Sequence, residues 1–361
     1  MPVETLRFGS VDDPETALTS IRALDLGPDG RIYTLHPREN LVRIHGPDGA
    51  PLRAFGGEGE GPGEFVSPIA LDIFGEEVWV WDDRSLRVTR FDLEGELIGV
   101  ETHRPAAFEH VYLRPARPDV VLPDLTFLGS YSINTVRGAE ERTENPLLRL
   151  GVEGDILDTV FVRPLEGGYL WLELGMGDPT VTSHPYPWDP IFAVAARRME
   201  VIVAERDVHP DAPEFRVTRL TIEGDTLWSR TYPYDPVPPD MALIETRVEF
   251  FATAVERAGW TTRRHAEEVF RGGIRIPEHI PPLTRVIAGH DGSIWLELAD
   301  NDETANSWLI LAEDGEPYGR VVLPGRFYIR HATLEGVLGM ELDELDVPYV
   351  VGYDLTLEAG P

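Results

Sequence analysis

The stretch LVRIHGPDGAPLRAF (Leu41–Phe55) decides the fold. Two runs rich in Leu, Val, Ile and Phe flank an Asp-Gly pair. That pair marks a hairpin, because Gly accepts positive φ without steric cost. The pattern returns as RVTRFDLEGELIGV around Gly95, LLRLGVEGDILDTV around Gly154, RVTRLTIEGDTLWSR around Gly224 and SWLILAEDGEPYGRV around Gly315. A unit repeated at a medium period points to a solenoid or a propeller.

Successive turn glycines lie 46, 59, 70 and 91 residues apart. A four-stranded propeller blade takes about 40–50 residues. Residues 239–282 read as helical, and without those 44 positions the last interval falls to 47. Upstream of most outer hairpins lies an inner strand pair. GPDGRIYTLH (Gly27–His36) matches GHDGSIWLEL (Gly289–Leu298), while FGEEVWVWDD (Phe74–Asp83) and RRMEVIVAERD (Arg197–Asp207) occupy the same place. Val78 and Val80 alternating with Trp79 and Trp81 read as a strand buried on both faces. After the Gly315 hairpin one blade remains with only three strands, so Val3–Phe8 supplies the fourth and closes the ring, which removes a free sheet edge. The expected fold is all-β, a single six-bladed β-propeller over 1–361 with a helical insertion between blades 4 and 5. In that insertion Asp240 is the expected N-cap, Ile244, Val248, Phe251 and Val255 share one apolar face, and Gly259 breaks the helix.

Of the 361 residues, 34 are Gly and 31 Pro, which suits many short strands joined by turns. The 32 basic side chains other than His are all Arg, so a Lys Schiff base, a Lys general base and a Walker-type phosphate loop are excluded. No Cys is present, which removes thiol catalysis, disulfides and Cys-ligated zinc. A net charge of −31 repels nucleic-acid phosphates and anionic lipid, so neither is an expected partner. No run approaches the roughly 20 apolar residues of a membrane helix. The first residues, MPVETLRF, read as strand rather than as a leader.

GGEGEGPGEF (Gly56–Phe65), following the first outer hairpin, resembles the linker of the bacterial "6-bladed beta-propeller" family, relatives of NHL-repeat proteins. DGSIWLEL (Asp291–Leu298), WLILAEDGEPYGRVVLP (Trp308–Pro324) and VLGMELDELDVPYVVGYDL (Val337–Leu355) resemble its closing blades. The resemblance covers roughly residues 20–100 and 285–358, and the helical insertion lies outside it. It implies a six-bladed ring and a periplasmic or secreted home. The shared motifs describe blade construction rather than chemistry.

Signatures of serine hydrolases, zincins, EF-hands and dinucleotide folds are absent from the sequence. The Gly56–Gly63 run carries Glu58 and Glu60 but no basic residue, so it reads as a crossover rather than a phosphate loop. In a propeller the loops between second and third strands gather at one face. Here they place Asp82, Glu205, Asp300 and Asp343 around one rim, and clustered carboxylate oxygens suit Ca2+ or another hard cation. The crossovers reach the same face, with His110, His184 and the Arg330-His331 pair near the starts of innermost strands. Converging His suits Zn2+ or acid–base work. His331 or His110 is the candidate acid/base and Arg330 the candidate oxyanion or carboxylate clamp. His184, Tyr186, Trp188 and Phe327 are candidate contacts to a sugar, peptide or other small ligand.

Two functions follow from this reading. The first is a non-catalytic propeller recognising a small molecule or a protein through one face and its channel. The second is a channel-centred, metal-dependent hydrolase or lyase. Six-bladed relatives of that kind include lactonases with a carboxylate-bound cation and amidating lyases with zinc. Asn40, Asn134, Asn145, Asn301 and Asn306 match neither relative's motifs, so no residue role is carried over.

Overall fold

Each acidic-Gly turn joins the two outer strands of an antiparallel sheet. The computed structural model describes residues 2–9, 18, 20–103, 113–115, 121–131, 144–164, 168–175, 180–206, 213–300 and 304–355. Strand β1 (Pro2–Phe8) comes first in the chain and belongs to the last blade. Blade 1 is β2 (Ala23–Leu26), β3 (Ile32–His36), β4 (Leu41–His45) and β5 (Pro51–Gly56). Blade 2 is β6 (Pro68–Phe74), β7 (Glu77–Asp82), β8 (Arg87–Asp92) and β9 (Leu97–Thr102). Blade 3 is β10 (Leu113–Pro115), β11 (Phe127–Tyr131), β12 (Glu144–Leu150) and β13 (Ile156–Pro164). A separate hairpin, β14 (Tyr169–Leu172) and β15 (Thr180–Ser183), comes next. Blade 4 is β16 (Ile191–Ala195), β17 (Glu200–Glu205), β18 (Glu214–Thr221) and β19 (Thr226–Pro233). After helices α1 (Met241–Arg257) and α2 (Arg263–Gly273), blade 5 is β20 (Leu283–Ala288), β21 (Ile294–Leu298), β22 (Ala305–Leu311) and β23 (Pro317–Pro324). Blade 6 is β24 (Phe327–Ala332), β25 (Gly336–Leu342) and β26 (Pro348–Leu355), with β1 outermost.

The closure is antiparallel and runs from Pro2 opposite Leu355 to Phe8 opposite Val350. It joins the two ends of the described chain, so unfolding either terminus opens the ring. The core is a set of slabs between neighbouring blades rather than one lump. Tyr33, Ile44, Leu71 and Val78 fill the slab between blades 1 and 2. Trp295, Trp308, Phe327 and Tyr353 fill that between blades 5 and 6. Val78, Trp79, Val80 and Trp81 are all buried, because each face of β7 meets another blade. Burying each such side chain stabilises the ring by about 1.5–3 kcal/mol.

The turn glycines explain why the hairpin signal is so regular. Gly49 has φ 83° and Gly95 has φ 81°. Each also lies under an outer strand of the preceding blade. A Cβ on Gly49 would stand 2.5 Å from Phe8, and one on Gly95 2.4 Å from Phe55. The same residue thus makes the turn and admits the neighbouring blade.

Helices α1 and α2 form the insertion, and the Asp240 carboxylate accepts the N–H of Ala242 as the N-cap. Ile244, Val248, Phe251 and Val255 are buried against Leu170, Leu172 and Tyr186. The hairpin β14–β15, unread in the sequence, is therefore the insertion's platform.

Candidate functional site

The innermost strands β2, β6, β16, β20 and β24 contribute lining residues to one axial channel of about 580 Å3. None of its lining residues comes from α1 or α2. Arg22, Arg163, Arg197, Arg198, Arg285 and Arg330 line it, against Asp25, Asp72 and Asp189. Four of the six are already ion-paired, Arg163 with Asp189, Arg197 with Asp25, Arg198 with Glu200 and Glu313, and Arg285 with Glu297. Arg330 projects from an irregularity in β24, where the register shifts between Ile329 and His331.

The channel has two mouths. At the upper mouth the innermost strands begin, and the crossovers and second-to-third strand loops gather. Arg206 is buried there and donates to the carbonyls of Asp189 (2.9 Å) and Leu283 (3.2 Å). Burial pushes its guanidinium down to about 10. Arg163 reaches the Asp189 carboxylate at 3.4 Å.

At the lower mouth the innermost strands end, and one carboxylate gathers groups from five blades. Asp25, near the end of β2, is 4% exposed. Its Oδ1 accepts the N–H of Leu26 at 2.8 Å. Its Oδ2 accepts the N–H of Ile73 at 2.9 Å and Arg197 at 2.6 Å. His331 Nδ1 lies 3.4 Å and His290 Nε2 3.5 Å from Oδ1. The two imidazoles stack with centroids 3.7 Å apart and planes 17° from parallel. Burial by itself pushes the Asp25 carboxyl up. The bonds to His290 and His331 and the charge of Arg197 outweigh it and hold the group well below the usual carboxylate range. Burial pushes the His331 imidazole down, against the pull of Asp25. Asp25 is therefore ionised and His331 neutral at pH 7.

His331 is thus brought into a cluster, but at the mouth opposite to the expected one. It stands four residues after Phe327, about 13 Å along the strand, so it marks the end of β24 rather than its start. His110 lies outside the described residues. Arg330 lines the channel as a clamp requires.

The expected ring of rim carboxylates does not converge. Asp82 is buried, and its oxygens accept the N–H groups of Val66, Ser67, Arg84 and Ser85. Glu205 faces Arg216 at 3.4 Å. Asp343 accepts the N–H groups of Leu345 and Val347. Asp300 is exposed. The oxygens of Asp82 and Asp343 serve nearby backbone and those of Glu205 a local ion pair. Among the described residues, the His and acidic side chains whose ligand atoms converge are Asp25, His290 and His331.

The expected ligand contacts are structural as well. His184 Nδ1 accepts the N–H of Tyr186 at 3.0 Å, so its Nε2 carries the proton and donates to the Arg275 carbonyl at 3.0 Å. The Tyr186 hydroxyl donates to the carbonyl of Asp240 and accepts its N–H. Both residues tie the insertion down. Trp188 is half-buried, edge-on to His279. Phe327 is fully buried against Tyr353 between blades, so no ligand reaches it. The Gly-rich crossover is also structural, since Arg87 donates to the carbonyls of Glu60, Gly61 and Glu64.

Sequence reading missed Asp25, Arg197 and His290. All three sit beside the turn between first and second strands, in ALDLGPDG, AARRME and AGHDGS. Tabulating polar residues at that one place in every blade was the signal available.

No protein-family model matches the chain, and no curated protein matches it. Solved structures do. A candidate exported protein of Bacteroides fragilis is 9% identical, with a TM-score of 0.50 over 99% of this chain and 95% of that one. A DUF4221-family member from Bacteroides vulgatus is 12% identical, with a TM-score of 0.46 over 100% and 99%. Regucalcin from Agrobacterium tumefaciens, a calcium-binding protein, is 10% identical, with a TM-score of 0.42 over 99% and 97%. At such identities the likeness shows the fold alone. Among the described residues, no helix is long and apolar enough to cross a membrane.

Proposed function

We propose that this protein is a recognition propeller whose channel captures a small organic anion, a carboxylate or a phosphate ester. The observation that carries this reading is the lining, where six arginines meet at one channel and four of them are held in place by acids, Arg163 by Asp189, Arg197 by Asp25, Arg198 by Glu313 and Arg285 by Glu297. Guanidinium groups bind carboxylate and phosphate through paired, charge-assisted hydrogen bonds. A narrow channel with low-dielectric walls strengthens them. Arg22 is exposed at the channel and makes no ion pair among the described residues. This reading keeps the chain with the NHL-like six-bladed proteins that it resembles. The name of the B. fragilis neighbour supports a home outside the cytoplasm.

Titration calorimetry with citrate, inorganic phosphate, glucose 6-phosphate and neutral glucose tests it. At least one anion should bind saturably, weaken as salt rises, and lose about tenfold or more in Arg22→Ala and Arg330→Ala. Equal binding of glucose, or no saturable anion, sinks the reading. A second reading, a metal-dependent hydrolase or lyase in the same channel, is favoured by the convergence of Asp25, His290 and His331.

A further inference from the structure

We propose that Asp25, His290 and His331 form a three-ligand site for a divalent transition metal, Zn2+ by preference, whose fourth position faces the channel. Asp25 Oδ1 stands 3.4 Å from His331 Nδ1 and 3.5 Å from His290 Nε2. Both separations are long for an N–H···O bond. They match the edge of a tetrahedron with metal–ligand bonds of about 2.1 Å, which is about 3.4 Å, whereas an octahedron with such bonds has an edge of about 3.0 Å.

Acceptor bookkeeping points the same way. A carboxylate offers about four lone-pair positions. Leu26, Ile73 and Arg197 occupy three of them at 2.8, 2.9 and 2.6 Å. One position on Oδ1 remains, and two imidazoles aim at it. A single cation would use that lone pair and one from each ring. Arg197 and the Ile73 N–H would then hold the carboxylate from behind, as outer partners of metal ligands do. Two nitrogens and one oxygen are a borderline donor set that suits Zn2+, and three protein ligands leave one position open. Asp25 and His290 both line the channel, so that position opens there. The stacked rings stand 17° from parallel, so a cation in the plane of both requires one to tilt. His290 follows β20 on a turn and is 23% exposed against 12% for His331, so it is the ring with room to move. The site does not depend on the anion reading. A channel anion would supply the fourth ligand.

The test uses the full chain, stripped with EDTA and dialysed, then titrated with Zn2+ by calorimetry and with Co2+ by visible absorption. One equivalent should bind, and Co2+ should give the intense d–d bands of four-coordination. His290→Ala and His331→Ala should each weaken binding about 100-fold or more. Glu205→Gln and Asp343→Ala, at the other mouth, should leave it unchanged. His290 is partly exposed, so its variant decides the matter even if an Asp25 variant fails to fold, and circular dichroism checks each one. Absence of saturable binding, full binding by both histidine variants, or loss in the upper-mouth variants would overturn the site. None of these outcomes touches the anion titration, so the two proposals fail separately.

Discussion

The two mouths of the channel use carboxylates in opposite ways. At the upper mouth Asp82 and Asp343 turn back onto the N–H groups of nearby chain, and Glu205 faces the neighbouring strand. At the lower mouth a single Asp25 from blade 1 meets Ile73 of blade 2, Arg197 of blade 4, His290 of blade 5 and His331 of blade 6. A propeller's sheets fan outward, so loops on the rim diverge while the innermost strand ends converge on the axis. The acidic rim loops therefore keep to local partners, while one buried acid at the axis gathers groups from distant blades.

The sharpest break of this comparison is Asp25→Ala against Asp343→Ala. Removing Asp25 leaves Arg197 and two histidines facing an uncompensated gap, and breaking a buried charged network costs about 3–5 kcal/mol. Removing Asp343 forfeits turn hydrogen bonds at a half-buried loop, about 1 kcal/mol. Urea unfolding of both variants decides it, and equal losses would erase the distinction between the mouths.

Acid sharpens the comparison next. His36 ends β3 below the upper mouth, and it shares the Thr34 hydroxyl with His45. Burial pushes both imidazoles down to about 4. Between pH 6.5 and 4 the unfolded chain takes up these protons and the folded chain does not. Stability should therefore fall as pH drops through that window, by about 3 kcal/mol per histidine at 1.36 kcal/mol per unit. At Asp82 burial alone raises the carboxyl, but the N–H groups of Ser85, Ser67 and Val66 outweigh it and hold it low. Its contribution is present above 3.8 and is lost only as pH falls further. Denaturant titrations at half-unit pH steps should show a decline starting near 6.5. A flat profile down to pH 4 would contradict the buried neutral histidines.

The smallest expected effect separates two turns on the lower face. Gly75 has φ 61° with no atom within 4 Å of a would-be Cβ, whereas Gly95 has φ 81° with Phe55 at 2.4 Å. Gly75→Ala should cost about 1 kcal/mol, the strain of a left-handed residue. Gly95→Ala adds the clash, about 1–3 kcal/mol more. Matching melting temperatures would show that blade contact adds nothing to the turn.

Much of the ring was legible in the residues. The five turn glycines, the Trp79 and Trp81 alternation, the Asp240 cap and the β1–β26 closure are local or terminal patterns, written by φ preferences and by period-two burial. The hairpin β14–β15 escaped because its short strands bury Leu170 and Leu172 against helices rather than against a blade. The candidate site was legible only in part. His331 was found, but on the wrong mouth, because the length of β24 was not known. Asp25 and His290 are separated by 265 positions in sequence, and nothing in ALDLGPDG distinguishes its aspartate from other turn acids.

The sequence alone determined that six blades form and that the first strand closes the last, because turn chemistry and alternating burial act over a few residues. Only the tertiary structure decided which polar side chains share the axis. That depends on how far each innermost strand runs before it turns, and on blades distant in the chain bringing their last residues to one point.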